Sequence, residues 1–158
     1  MSSLENFKEM MIDDLIYRVY DDRVHLAGPK LSVENNFMPL IRPELMISPK
    51  LTIPSHVCDL PVISIDAGAF ANSNLEEISL PDTIEFIGSS VFQDCTELKK
   101  INIPKNLTEI DSTAFAFCKI DSITIPGNVR LHSQAFYGCG NLHTVVLKEG
   151  IESLPLGI

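Results

Sequence analysis

Four cysteines are the side chains of this sequence best suited to bind a metal or to change redox state: Cys58, Cys95, Cys118 and Cys139. Zinc sites use cysteines in close pairs, with about two to four residues between them, whereas the last three cysteines here are 23 and 21 residues apart. Such even spacing would place the last three cysteines in one column of a repeated structure. Three thiols in a column cannot all pair in disulfides, and their parallel Cβ vectors make such bonds awkward. We therefore interpret these three as buried structural thiols, and we expect Cys58, outside the series, to be accessible.

The remaining candidates for catalysis carry no recognisable arrangement. The sequence has four histidines, His25, His56, His132 and His143. None belongs to an HExxH pair or to a nucleophile motif, the two Asp-Asp pairs lack the spacing of a calcium loop, and no glycine-rich phosphate loop is present. The sequence therefore predicts a chain that is not an enzyme, with no catalytic residue, no metal and no cofactor.

The charge of the chain narrows the class of partner. With 21 acidic and 12 basic residues the net charge is −9, which would repel a phosphate backbone or an anionic membrane. No apolar run approaches the length of a membrane span. The acids near the N-terminus do not fit a signal peptide. Two expectations for the location stay open: the cytoplasm, or the cell surface or exterior if an export signal has been removed.

The elements that would position these side chains come from a repeat. Prolines end four apolar stretches at intervals of 27, 23 and 22 residues: Pro54, Pro81, Pro104 and Pro126. Phenylalanines follow at intervals of 22, 23 and 21 residues: Phe70, Phe92, Phe115 and Phe136. A period of 22–23 residues lies within the range of leucine-rich repeats, about 20–29 residues.

This pattern predicts a solenoid, mostly β, with one short parallel strand stacked per 22–23-residue repeat. In residues 98–103 the aliphatic side chains of Leu98, Ile101 and Ile103 would face inward. Pro104 would end the strand because it has no N–H for the ladder, and Phe115 would fill the space between the two walls. Each coil then supplies half of a core that stacking completes.

The segments IPKNLTEIDSTAFAFC and LPDTIEFIGSSVFQDC closely resemble the BspA-like leucine-rich repeats, whose consensus is roughly LxxIxIPxxVxxIGxxAFxxC. The resemblance covers residues 48 to about 154, and LIYRVYDDRVHLAG is similar to the N-terminal hairpin of that family, with Asp21 and Asp22 at its turn. Val91 and Lys148 depart from the consensus Ala and Pro. The resemblance implies a leucine-rich-repeat solenoid that acts in surface adhesion or host interaction, with intracellular members as well.

We therefore divide the chain into residues 1–47, an N-terminal helix and hairpin cap with an irregular cover, and residues 48–158, about five repeats of which the last is incomplete. Residues 4–11 are expected to form the short helix. The fifth repeat has no Ala-Phe pair and no cysteine, so its last strand would lack a return wall.

Two functions follow. The first is a non-catalytic protein-interaction module that binds a protein partner through the polar side chains of the strand face: Glu76, Glu77, Lys99, Lys100, Asn102, Asp121, Thr124 and His143. A face of five short strands covers only about 400 Å² in projection, below the roughly 800 Å² per partner of a standard interface. The alternative is a structural subunit that dimerises through its open C-terminal edge, with apolar residues Ile151, Leu154, Leu156 and Ile158.

Overall fold

The structure, a computed structural model, describes residues 6–29, 47–150 and 154–155. Within these residues it has thirteen β-strands and no helix. In chain order the strands are β1 (Lys8–Ile12), β2 (Leu15–Val19), β3 (Val24–Pro29), β4 (Lys50–Thr52), β5 (His56–Val57), β6 (Leu60–Ile65), β7 (Glu77–Ser79), β8 (Phe86–Ile87), β9 (Lys100–Ile101), β10 (Glu109–Ile110), β11 (Ser122–Ile125), β12 (Arg130–Leu131) and β13 (Thr144–Leu147).

The repeats form a solenoid with two walls, as the sequence predicts. We number its coils 1 (47–73), 2 (74–96), 3 (97–118), 4 (119–140) and 5 (141–150). The front wall carries the strands before each proline, paired in parallel as β4-β7-β9 and as β11-β13. The back wall carries β6-β8-β10-β12, also parallel, in one sheet.

The core between the walls is built around a column of phenylalanine rings. Consecutive rings of Phe70, Phe92, Phe115 and Phe136 are stacked with centroids 5.7, 5.2 and 5.2 Å apart, and all four are buried. Burial of one such side chain stabilises the fold by roughly 1.5–3 kcal/mol. A coil alone would leave its ring half exposed, so the column makes neighbouring coils depend on one another.

Each phenylalanine sits in a tight turn with left-handed backbone on both sides. The residues two before and two after the four rings have φ between 54° and 71°, and six of these eight are not glycine: Ser90, Thr113, Gln134, Asn72, Asp94 and Phe117. Hydrogen bonds between coils hold these turns: the N–H groups of Phe70, Phe92 and Phe115 donate to the next coil, as from Phe92 to the Ala114 carbonyl at 2.8 Å. These bonds hold a backbone conformation that non-glycine residues rarely adopt.

The N-terminal hairpin caps the solenoid by extending its back wall. Strands β2 and β3 pair antiparallel, and β3 pairs in parallel with β6 of coil 1. Asp21 and Asp22 lie at the turn between β2 and β3, which confirms the predicted hairpin. Arg18 Nη1 lies 2.6 Å from Asp66 Oδ2, so an ion pair joins the hairpin to coil 1.

The helix expected over residues 4–11 is wrong where the structure describes it. Lys8–Ile12 is β1, which pairs antiparallel with β2 along five residues. Its Lys, Glu and Met residues are good helix formers, but hydrogen bonding to β2 overrides that weak preference. Residues 4 and 5, and residues 30–46 of the expected cover, lie outside the described part of the chain.

Tyr17 anchors this cap in the core. Its side chain is 1% exposed and belongs to the same apolar cluster as Val24, Leu26 and Phe70. Burial, with a smaller contribution from the charge of Asp13, raises the pKa of Tyr17 to about 12, because a phenolate in this position would lose its hydration.

Candidate interaction surface

The polar residues predicted to form one binding face lie on the front wall, but in two separate sheets. Glu76, Glu77, Lys99, Lys100 and Asn102 lie on or beside β7 and β9, whereas Asp121, Thr124 and His143 lie on or beside β11 and β13. Glu77 is half-buried and the other seven are exposed. The candidate residues thus form two groups on the front wall, and a break in the sheet separates them.

The charges of the first group are only partly compensated. Glu77 is level with Lys100 in the ladder, yet its carboxylate pairs with Lys50, with Nζ 3.4 Å from Oε2. Lys99 and Lys100 are exposed, and within the described ranges neither forms an ion pair. The two adjacent ammonium groups thus lie among the carboxylates of Glu76 and Glu77, but form no ion pair with them.

Asn102 has a structural role that its sequence position does not reveal. Its Nδ2 donates to the Leu80 carbonyl at 2.7 Å, and its Oδ1 accepts from the Leu80 N–H at 2.8 Å. Asn74 makes the same pair of bonds to Ile47, at 2.9 and 2.7 Å. In both places a carboxamide replaces backbone pairing between coils, since it offers both a donor and an acceptor. Asn102 thus holds two coils together, and because its side chain is also exposed, its role as a contact for a partner stays a prediction.

The break in the front wall is a cleft of about 530 Å³ between β9 and β11. Three isoleucines, Ile101, Ile103 and Ile123, line it together with polar side chains of both sheets. Ile101 and Ile103 are half-buried, although Ile78 and Leu80, their equivalents in coil 2, are buried. The sequence pattern, which treats these positions alike, did not predict this cleft.

The last coil exposes the inner side of its strand. Val145 and Leu147 occupy core positions of the repeat, yet they are 41% and 40% exposed, and Val146 and Leu154 are exposed as well. The outer edge of β13 pairs with no strand in the described part of the chain. Among the candidates for self-association, Leu154 is described, whereas Ile151, Leu156 and Ile158 lie outside the described residues.

Comparison with protein families identifies these coils. The family model for the BspA type leucine-rich repeat region matches residues 63–157 in six copies. The chain belongs to the BspA-type leucine-rich repeat family. A search of curated proteins finds no significant match.

Solved structures of bacterial leucine-rich repeat proteins share the fold. A protein from Bacteroides capillosus is 24% identical, with a TM-score of 0.72, over 89% of this chain and 98% of that one. A leucine-rich cell surface protein from Faecalibacterium prausnitzii is 22% identical with a TM-score of 0.61, and the pneumococcal vaccine antigen PcpA is 20% identical with a TM-score of 0.58. This chain spans 45% and 51% of those two proteins, which are about twice as long.

The cysteines behave as structural members of the BspA-type repeat. The thiols of Cys95, Cys118 and Cys139 each donate to the carbonyl of the phenylalanine in the preceding coil, at 3.1, 3.1 and 3.0 Å. Burial raises the pKa of all three, which keeps them protonated. Cys58 is exposed, as expected.

BspA-type repeats are protein-interaction modules, and proteins of this fold are typically non-catalytic. Over the described ranges, no three His, Cys, Asp or Glu side chains are grouped so that they could hold a metal ion. No helix among those residues is long and apolar enough to cross a membrane.

Proposed function

We propose that this chain is a non-catalytic binding module that captures a protein partner on its front wall, in adhesion or host interaction at a bacterial surface. The observation that carries the proposal is the pair of uncompensated, exposed ammonium groups of Lys99 and Lys100. Glu76 lies in the neighbouring coil of the same sheet, whereas Asp121 and His143 lie in the second sheet, across the break. Two of the proteins with a similar fold are a leucine-rich cell surface protein and a vaccine antigen, which favours a surface location.

The partner chemistry follows from this charge. An acidic patch on a protein would be attracted to Lys99 and Lys100, while the negative remainder of the chain would repel it elsewhere and so fix its position. The small area of the face indicates that its contacts alone give modest affinity, so the partner has to use further features of the front wall.

Site-specific photocrosslinking tests the proposal. A benzophenone amino acid replaces Lys99 in one variant and Ser133, an exposed residue between the back wall and the Phe136 turn, in a control variant. We expect a protein from the surface fraction of the source organism, or of a host cell, to crosslink at position 99 and not at 133. The identified protein is then purified, and its binding to the Lys99→Glu, Lys100→Glu double variant is measured. Equal crosslinking at both positions, or unchanged affinity of the double variant, would contradict the proposal.

The exposed apolar strand β13 favours a second candidate function, self-association through the last coil. Val145, Val146 and Leu147 are 40–48% exposed side by side, at an edge that pairs with no other described strand. Such an edge is a template for pairing with a second copy. Light scattering over a wide concentration range would give a dimer for the unchanged chain and a monomer for a Val146→Lys, Leu154→Asp variant. A Thr144→Lys variant is the control for added charge. A monomer at every concentration would exclude this function.

A further inference from the structure

We propose that the cleft between β9 and β11 receives an extended peptide segment of the partner protein, which pairs with both strands and bridges the two sheets of the front wall. The inference rests on the proposed function, since it specifies how the same wall holds its partner. It identifies the feature that supplements the small polar face.

The first support is a run of backbone in coil 4 that has no described hydrogen-bond partners in coil 3. Lys119 N–H donates to the Leu98 carbonyl at 3.0 Å, and Arg130 N–H donates to the Thr108 carbonyl at 2.8 Å. Between these two bonds, in residues 120–127, no backbone hydrogen bond to coil 3 is found in the described part of the chain. A pair of facing strand edges is therefore left open, and strand edges bind extended chains.

The direction of the open groups follows from the ladder on the other side of β11. The Asp121 and Ile125 carbonyls accept from His143 and Lys148, so the odd-numbered residues of β11 point toward β13. Because hydrogen-bonding groups alternate sides along a strand, the N–H and C=O groups of Ser122 and Thr124 point into the cleft. They can pair with an added strand at the usual spacing.

The facing edge is formed by coil 3. Lys100 N–H donates to the Glu76 carbonyl, toward β7, so the same alternation turns the backbone groups of Ile101 and Ile103 toward the cleft. Neither residue has a described hydrogen bond on that side. An inserted strand would thus find donors and acceptors on both of its edges, as a central strand of a sheet does.

The cleft opens only toward the front, because the back wall holds coils 3 and 4 together. Behind it, β10 pairs with β12, and the rings of Phe115 and Phe136 are stacked 5.2 Å apart. Coils 3 and 4 therefore remain in contact at the back while they separate at the front. The volume of about 530 Å³ lies within the range of small binding sites, roughly 300–1,000 Å³.

The lining selects the chemistry of the peptide. Side chains directed inward would meet Ile101, Ile103 and Ile123, which favours aliphatic residues at alternate positions. Lys105 and Lys148 line the end of the cleft where the strands finish. Lys105 is paired with Asp82 at 3.0 Å, whereas Lys148 has no ion pair among the described residues. The occupant is thus a β-forming segment that alternates aliphatic and hydroxyl residues. It would run parallel to β11, as the paired strands of the front wall do, and end in an acidic residue near Lys148.

The probe is a fluorescein-labelled hexapeptide in which valine alternates with threonine and the last residue is aspartate. Its control has the same composition with the valines contiguous. We expect saturable anisotropy for the alternating peptide, with at least tenfold weaker binding of the control. Addition of saturating peptide should slow amide hydrogen exchange at Ser122 and Thr124 at least tenfold, because these N–H groups become hydrogen-bonded.

Three variants, two at Thr124 and one at the equivalent Thr52, separate backbone pairing from side-chain contact. Thr124→Pro removes an N–H that points into the cleft, and we expect it to weaken peptide binding at least tenfold. Thr124→Val keeps the N–H, so it should weaken peptide binding at least fivefold less than Thr124→Pro does. Thr52→Pro changes the equivalent residue of β4, on the far side of the first sheet, and should also stay within twofold. Circular dichroism confirms that each variant is folded.

Several results would overturn the inference. Equal binding by Thr124→Pro and Thr52→Pro would exclude pairing with β11. Slow exchange of Ser122 and Thr124 in the dilute free chain would mean that another segment of this chain fills the cleft, and protection that rises with concentration would indicate a second copy. If the peptide fails while crosslinking at position 99 still captures a partner that the Lys99→Glu, Lys100→Glu variant loses, the peptide site is wrong and the proposed function stands. Absence of both would reject both.

Discussion

The two walls of this solenoid are made by the same repeats, but only one of them is continuous. On the back wall, β6, β8, β10 and β12 pair without interruption, and the cap extends the sheet through β3. On the front wall, the ladder stops between β9 and β11. The contrast shows that the stacked rings and the back wall hold coils 3 and 4 together even where the front ladder stops. Pairing at the front therefore depends on something else, and the connectors between coils are the part that varies.

The connector lengths account for part of the difference. Two residues, Thr96 and Glu97, separate Cys95 from the leading Leu98 of coil 3, but Lys119 alone separates Cys118 from Ile120 of coil 4. Coil 2 also has a one-residue connector, Asn74, whose carboxamide bonds to Ile47 of the neighbouring coil. Lys119 stands in the place of Asn74, and an ammonium group has no acceptor with which to bridge two backbones. On its other side, toward β9, β11 has no ladder among the described residues, although it pairs with β13.

Truncation of one ring in the phenylalanine column should have the largest effect on stability. If it did not, the contrast between the two walls would not hold. We expect Phe92→Ala to lower the free energy of unfolding by about 3–5 kcal/mol, since it removes a fully buried ring between two stacked neighbours. Ile103→Ala, in the half-buried lining of the cleft, should cost only about 1 kcal/mol. Urea unfolding followed by circular dichroism measures both. Similar losses would mean that the two walls contribute alike.

Alkaline pH should loosen the cap, which belongs to the back wall. The pKa of Tyr17 is about 12 in the folded chain, against about 10 for an exposed tyrosine, so the unfolded chain loses this proton first as the pH rises. The stability that Tyr17 contributes is complete below pH 10 and falls between pH 10 and 12 by about 2–3 kcal/mol.

The control for this titration is Tyr17→Phe, which keeps the ring and removes the ionisable group. The difference in unfolding free energy between the two chains should be constant from pH 7 to 10 and shift in favour of the variant from pH 10 to 12. Parallel pH curves for the two chains would show that Tyr17 ionises equally easily in both states.

The solenoid was predictable because its determinants recur. The prolines, phenylalanines and cysteines each mark the same position in successive coils, and a period of 22–23 residues leaves few alternatives. The hairpin was predictable from its similarity to the family cap. The helix prediction for residues 8–11 failed because pairing of β1 with β2 is a tertiary effect that local preference does not include.

The cleft was not predictable in the same way. Alignment on Pro104 and Pro126 treats coils 3 and 4 as equivalent, and the single-residue difference in their connectors carries no evident meaning until the ladder is traced. Asn102 shows the same limit of sequence analysis. Its column predicted a contact residue and gave no sign that its carboxamide also bonds to the backbone of Leu80. The left-handed turns beside each phenylalanine gave no signal either, because they are occupied by residues as different as Ser90, Thr113 and Phe117.

Removal of the Asn102 carboxamide should have an intermediate effect, restricted to the front wall. Asn102→Ala leaves the Leu80 N–H and carbonyl without partners, so we expect a loss of about 1–2 kcal/mol and faster amide exchange at Leu80. Asn106→Ala, at an exposed turn position with no described side-chain hydrogen bond, is the matched control and should change stability by less than about 0.5 kcal/mol. If exchange also accelerated across the back wall, at Ile87 and Ile110, the two walls would not be independent.

Charge reversal at Lys99 and Lys100 should have the smallest effect on stability and the clearest effect on binding. Both side chains are exposed and have no ion pair in the described ranges, so the double change to Glu should alter the free energy of unfolding by less than about 0.5 kcal/mol. Binding of the crosslinked partner should fall at least tenfold and lose its dependence on ionic strength. The Lys8→Glu, Arg130→Glu variant changes exposed residues of the cap and the back wall, alters the net charge by the same four units, and provides the control. A loss of stability in the double variant would assign the two lysines to the fold, whereas equal loss of binding in both variants would assign the effect to overall charge rather than to the front wall.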